Sequence, residues 1–147
     1  MRLREAFSED GGTLMLAEAT LARLGLDEEA TVPRITADGR VTGAVVACDH
    51  GLVEFSLEPD GALGTTVHAW RDVAPPTLTA RTLVELQVVA LWVRVRLPTL
   101  SLEVGSAPFE LGQVDWQMAS TPAAIEFWEA CVAHTATQAP GGLRRRG

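Results

Sequence analysis

The sequence predicts an α+β fold: a small, strongly bent antiparallel sheet or partly open barrel of about seven strands, capped by a C-terminal helix, with an extra N-terminal helix. Three observations carry this. Apolar and polar side chains alternate with period two through much of Val41 to Met118, Gly and Pro turn signals cut that region into short lengths, and apolar residues at helical spacing occur near both ends. A chain of 147 residues is about one domain. Hydrophobic residues at 47% and charged ones at 21% fit an ordinary globular protein and exclude a disordered or collagen-like one.

From Thr13 to Leu24, the apolar Leu14, Ala17, Leu21 and Leu24 recur along one helical row, with Glu18 off it. Arg23 and Gly25 then give a C-terminal cation and a left-handed cap. Asp27, Glu28 and Glu29 read as a solvated linker, so residues 1–30 form a helical extension to a body at 31–136.

In that body Val32 to Thr36 is a short strand, ended by the hairpin signal Ala37-Asp38-Gly39-Arg40. Val41 to Cys48 and Leu52 to Leu57 follow, separated by Asp49-His50-Gly51. The turn Glu58-Pro59-Asp60-Gly61 leads into a strand from Thr65 to Trp70, which Ala74-Pro75-Pro76 breaks off. Leu83 to Leu97 is the most apolar stretch; in its second half Leu91, Val93, Val95 and Leu97 share one face, and Trp92, Arg94 and Arg96 the other. Pro98 closes this run. Leu100, Leu102 and Val104 alternate next, and after Gly105-Ser106-Ala107-Pro108 a bulge near Gly112 brings Phe109 and Leu111 into phase with Val114, Trp116 and Met118. Ser120 as N-cap and Pro122 in the first turn start a helix from Thr121 to His134, with Ile125, Trp128, Cys131 and Val132 on its apolar stripe. Residues 137–147 are a loose tail containing Arg144, Arg145 and Arg146.

Twelve basic and 19 acidic side chains give a net charge of −7. Without the three tail arginines, nine basic residues face all 19 acids. Such a body repels phosphate backbones and anionic headgroups, which argues against general nucleic-acid binding and phosphoinositide capture. Every basic residue is Arg, and Lys, Asn and Tyr, all with A/T-rich codons, are absent. This points to a GC-rich bacterial source. Cys48 and Cys131 lie far apart and read as reduced buried thiols, and neither an apolar leader nor a stretch of roughly 20 apolar residues is present, so a cytoplasmic protein without a membrane span is expected.

The stretch Val46-Ala47-Cys48-Asp49-His50-Gly51-Leu52-Val53-Glu54-Phe55, followed by Thr66-Val67-His68-Ala69-Trp70-Arg71-Asp72-Val73, resembles the pleckstrin-homology-like superfold, including its bacterial members. The resemblance covers about residues 32–135. It implies that Phe127 and Trp128 plug the open end of a barrel, and that the domain serves as an interaction platform. Ligand-binding members grip inositol phosphates with basic residues around the first hairpin loops. Here that region holds Arg34 and Arg40, offset by Asp38, Asp49 and Glu54.

Chemistry is sparse. Asp49, His50 and His68, with Cys48 adjacent, are the one grouping of imidazole, carboxylate and thiol types, and a small metal-dependent hydrolase would need about three of them to converge. The plainer alternative is that His50 is a solvated turn residue and His68 a packing residue. Helix-end electrostatics account for His134. The serines occur in no nucleophile elbow, Gly11-Gly12-Thr13 lacks the Lys and spacing of a phosphate loop, and no cofactor motif is present. Trp92 with Arg94 and Arg96 has the composition of an interface hot spot if that strand face is outward, and of a core position if the N-terminal helix covers it. The expected function is a non-enzymatic module that binds a protein partner or self-associates through Trp92 or the N-terminal helix. An apolar small ligand inside the barrel is a further alternative.

Overall fold

A computed structural model describes residues 1–35, 40–88, 91–104, 107–112 and 120–138, and within them the side chains of 1–34, 40–77 and 122–136. Helices α1 (Leu3–Ala6) and α2 (Gly11–Leu24) precede strands β1 (Glu28–Ile35), β2 (Val41–Cys48), β3 (Gly51–Leu57) and β4 (Leu63–His68). These strands form an antiparallel sheet in the order β1-β2-β3-β4. A 3-10 turn, Trp70–Asp72, leads to β5 (Thr77–Val88), β6 (Leu91–Val104) and β7 (Ala107–Gly112), which pair antiparallel in a second sheet, and α3 (Ser120–Gln138) follows. Among the described residues the ladders stop at β4 and restart at β5. Helix α3 touches β1, β2 and the 3-10 turn as well as β5 and β6. None of the described helices is long and apolar enough to cross a membrane.

The four-stranded sheet is covered on both faces, and the reason lies in β2. From Gly43 to Cys48 every residue is buried. Val45 and Ala47 pack with Val32, Leu52, Trp70, Phe127 and Cys131 on the α3 side. Ala44, Val46 and Cys48 pack with Leu3, Phe7, Ala17, Leu21, Val53 and Phe55 on the side of α1 and α2. A strand with no polar parity would expose half its apolar side chains if only one face were covered, so the N-terminal helices complete the core. At Gly43 a Cβ would lie 2.3 Å from the Phe55 carbonyl oxygen, so only Gly allows β2 and β3 this approach.

Local signals set the helices. Asp10 accepts the Thr13 amide at 3.1 Å and the Thr13 hydroxyl at 2.6 Å, an N-cap that draws Gly11 and Gly12 into the first turn of α2. The expected start at Thr13 is therefore two residues late. At the other end Gly25 adopts φ 69°, and Leu26 N–H donates to the Leu21 carbonyl, the expected left-handed cap. Helix α1 has only four residues and offered no periodicity to read.

Four expectations need correction. Asp27 to Glu29 is not a free linker: β1 begins at Glu28, whose carboxylate accepts the Leu3 amide at 2.6 Å and bonds the Thr31 hydroxyl. Trp70 does not end a strand but opens the 3-10 turn, where its indole N–H donates to the Cys48 carbonyl at 2.9 Å. Pro98 sits within β6, opposite Ala80; the ladder from β6 to β7 begins only at Thr99, so no N–H is required of Pro98 on that side. On α3 the buried row is Ala123, Ala124, Phe127, Cys131 and Thr135, whereas Ile125 is exposed and Trp128 is half-buried, its indole donating to the Pro76 carbonyl at 3.2 Å. The row includes small and hydroxylic residues, which apolar size alone does not flag. Thr36, the Ala37, Asp38 and Gly39 of the hairpin signal, the turn residues Gly105 and Ser106, Val114, Trp116 and Met118, and the Arg144–Arg146 tail lie outside the described residues.

Two outcomes follow. Phe127 is fully buried at the centre of the α3-side cluster, so Phe127→Ala lowers stability to urea by about 3–5 kcal/mol. Asp10 is held below the ordinary aspartate value of 3.8 by the Thr13 hydroxyl and then the Thr13 amide. Its folded-state pKa lies below its unfolded one, so its contribution is present above about pH 4 and fades as acid protonates the carboxylate. The stability gap between the parent and Asp10→Ala, from urea titrations, is therefore open at pH 7 and narrows towards pH 3.

Candidate functional site

The residues singled out for chemistry separate into different surroundings. Asp49 and His50 make the two-residue turn between β2 and β3, where Cys48 pairs with Gly51. Asp49 ties that turn to the segment after α2: its Oδ1 accepts the Asp27 amide at 2.9 Å and the His50 amide at 3.0 Å, while its own N–H donates to the Asp27 carbonyl. The Asp27 amide is the main cause holding the Asp49 carboxyl below its ordinary range, with the His50 charge and amide adding to it. His50 is 78% exposed, with Nε2 3.4 Å from Asp49 Oδ2. The pair reads as a turn clasp.

His68 belongs elsewhere. Its Nε2 lies 2.8 Å from Glu54 Oε2, and Glu54 Oε1 accepts from Arg34 Nη2, also at 2.8 Å. The register explains this trio. Arg34 is opposite Gly43, Glu54 opposite Val45 and Thr66, and His68 opposite Leu52, so all three share the sheet face that packs on α3. They are half-buried and bridge β1, β3 and β4 through one carboxylate. A carboxylate held by two donors has its charge offset on both sides and serves the sheet as a cross-strand tie. Sequence reasoning noted Glu54 only as an acid near a hairpin. Its position two residues after Leu52, on the same face of β3 as that buried residue, was the available signal that it needed partners.

The two thiols lie on opposite faces of the sheet, Cys48 among the α1 and α2 contacts and Cys131 among those of α3. Both are free and fully buried. Burial pushes each up to about 12, helped at Cys48 by Asp49, Glu28, Glu29 and Asp27 and at Cys131 by Glu29. Neither supplies a thiolate near neutral pH. His134 stacks on Trp70 with ring centroids 4.6 Å apart, and its Nε2 meets Glu29 Oε1 at 2.6 Å, a contact more specific than the helix-end effect expected of it. Among the described residues no group of three or more His, Cys, Asp or Glu side chains could hold a metal ion. The structure does not gather Asp49, His50 and His68 into one site.

The partner-binding candidates Trp92, Arg94 and Arg96 stand on β6 opposite Gln87, Glu85 and Thr82, and their side chains lie outside those described. The N-terminal helix, the other candidate surface, is described in full. Its inner row is buried, yet Met15 is 72% and Leu16 54% exposed, and Leu24 is also exposed, as is Val67 on β4, which α2 packs beside. Beside Leu16, a solvent-open groove of about 520 Å³ runs between the first turns of α2 and the turn joining β3 to β4.

No family model matches the chain, and neither a curated protein nor a solved structure matches it significantly. The site must therefore be read from its own residues.

Thiol chemistry gives a direct check on the buried sites. Cys48 and Cys131 react with Ellman's reagent at neutral pH only as fast as the protein unfolds, and both react at once in strong denaturant. Fast labelling of either thiol in the folded protein contradicts its burial.

Proposed function

We propose that this chain is a non-enzymatic interaction module, bacterial and cytoplasmic, that binds a protein partner through the outward face of α2. The observation that carries the reading is the split character of that helix. Ala17 and Leu21 are core residues, whereas Met15 and Leu16, one turn away or less, offer large apolar side chains to solvent. Single exposed apolar residues are ordinary, but neighbours on one helix, one of them lining a groove, have the make-up of a contact surface.

The reading extends to architecture. We take the two antiparallel sheets and α3 as a pleckstrin-homology-like arrangement in which the sheets bend around a common interior. In support, the chain passes through a four-stranded and then a three-stranded meander, and one terminal helix touches strands of both. Such a scaffold hosts many functions, so the assignment of role rests on α2 and not on the fold.

Site-specific photo-crosslinking tests the role. With benzoylphenylalanine in place of Met15, irradiation in a lysate of the native cells yields a discrete adduct. The adduct disappears when Leu16→Asp is added, while circular dichroism stays unchanged. The same photoreactive residue in place of Glu129, exposed on α3, gives no such adduct. Absence of an adduct at Met15, or the same adducts from both positions, overturns the reading. Trp92→Ala assayed alongside separates the two candidate surfaces: it leaves the adduct intact if α2 is the contact.

A further inference from the structure

The four-stranded sheet ends on two unlike edges. On β1 the edge is blunted: Glu28, Glu29 and Arg34 carry charge, Pro33 lacks an N–H, and the ladder to β2 shifts register after Glu28 and again after Arg34. On β4 none of these devices is present. Leu63, Gly64, Thr65, Thr66 and Val67 are uncharged, and the six pairs from β3 to β4 run without a shift. Thr65, Thr66 and Val67 are all exposed, so side chains of both parities reach solvent and neither helical layer covers these three residues.

The phase of the ladder fixes which backbone groups are left over. Glu58 N–H donates to the Ala62 carbonyl, and Cys48 and Gly51 face each other across a two-residue turn. By alternation Gly64, Thr66 and His68 turn their N–H and C=O groups to β3, while Leu63, Thr65 and Val67 turn theirs outward. Among the described residues no strand takes up these outward groups. They are self-complementary. When two β4 strands lie antiparallel with a two-fold axis at Thr65, Thr65 faces its own counterpart and Leu63 faces Val67. This is the one register that engages all three residues of both copies in reciprocal N–H to C=O bonds. It also sets the half-buried Leu63 of each copy beside a Val67 that is otherwise 46% exposed. The segment brings no charge to the contact, whereas the chain as a whole, at −7, repels a copy.

We infer that this chain pairs with a second copy of itself through β4, so that two four-stranded sheets become one of eight strands across a two-fold axis at Thr65. The contact uses a different surface from the outward face of α2. Closing the pair consumes both β4 edges, so assembly stops at the dimer.

Analytical ultracentrifugation of the full chain tests this and shows a monomer to dimer equilibrium. Thr65→Lys and Thr65→Glu each put like charges opposite one another at the axis and raise the dissociation constant by about tenfold or more. An equimolar mixture of these two variants sets opposite charges across the axis and restores the dimer. Thr65→Pro, which removes an N–H that β3 does not use, separates the copies as well. Leu16→Asp leaves the dimer intact, so this contact and the α2 contact fail independently. Unfolding midpoints near that of the parent show that the variants are folded.

A parent chain that stays monomeric at the highest concentration reached, a dimer indifferent to the Thr65 variants, or a mixture of Thr65→Lys and Thr65→Glu that stays apart overturns the inference. Growth past the dimer overturns it too, as does a dimer lost with Leu16→Asp, which would move the contact to α2.

Discussion

The burial of β2 on both faces is the constraint from which the rest of the described structure follows. Gly43 to Cys48 contains no charged side chain and no polar parity, so neither face of this strand can meet water without exposing a row of aliphatic groups. Helix α3 closes one side through Phe127 and Cys131, and α1 with α2 closes the other through Leu3, Phe7, Ala17 and Leu21. At roughly 25 cal/mol for each Å² of apolar surface removed from water, each layer contributes stability that the sheet alone could not supply. The helices thus have inner faces fixed by the core, and only their outer faces are left for anything else.

The charged residues around this core act mainly as fasteners. Glu28 holds the start of α1, Glu29 meets His134 on α3, Asp49 ties the turn between β2 and β3 to the segment after α2, and Glu54 links Arg34 with His68. Each carboxylate accepts from donors whose own hydrogen bonds would otherwise go to water, so the pairs fix register and helix placement more than they add net energy. This also accounts for the finding that no three or more His, Cys, Asp or Glu side chains among the described residues gather where they could hold a metal ion. The imidazoles and carboxylates are spent in separate ties, and the thiols are buried on opposite faces.

Much of the four-stranded sheet was legible because its signals are local. Val41 to Cys48 matched β2 residue for residue, and Gly25 and Asp49-His50 stopped helix and strand where turn chemistry says they should. What failed depended on distant contacts. Glu28 and Glu29 look like linker residues until Leu3 and His134, far away in sequence, use their carboxylates. Pro98 looks like a strand end until one sees that β7 begins to pair only at Thr99. The stripe on α3 was misplaced because Ala124 and Thr135 are buried while Ile125 is exposed, which side-chain size does not reveal. The candidate surface was legible only in outline: periodicity identified the N-terminal helix, but the exposure of Met15 and Leu16 depends on which strands lie beneath it.

Native-state hydrogen exchange tests the two-sided core most directly. If α2 and α3 close the same sheet as one cooperative unit, the amides of Ala17 and Leu21, those of Phe127 and Cys131, and those of Val45 and Val46 exchange with a common free energy equal to that of global unfolding. Exchange of the α2 amides at much lower free energy, with β2 still protected, would show the N-terminal helices to be a dispensable cover and would contradict the account.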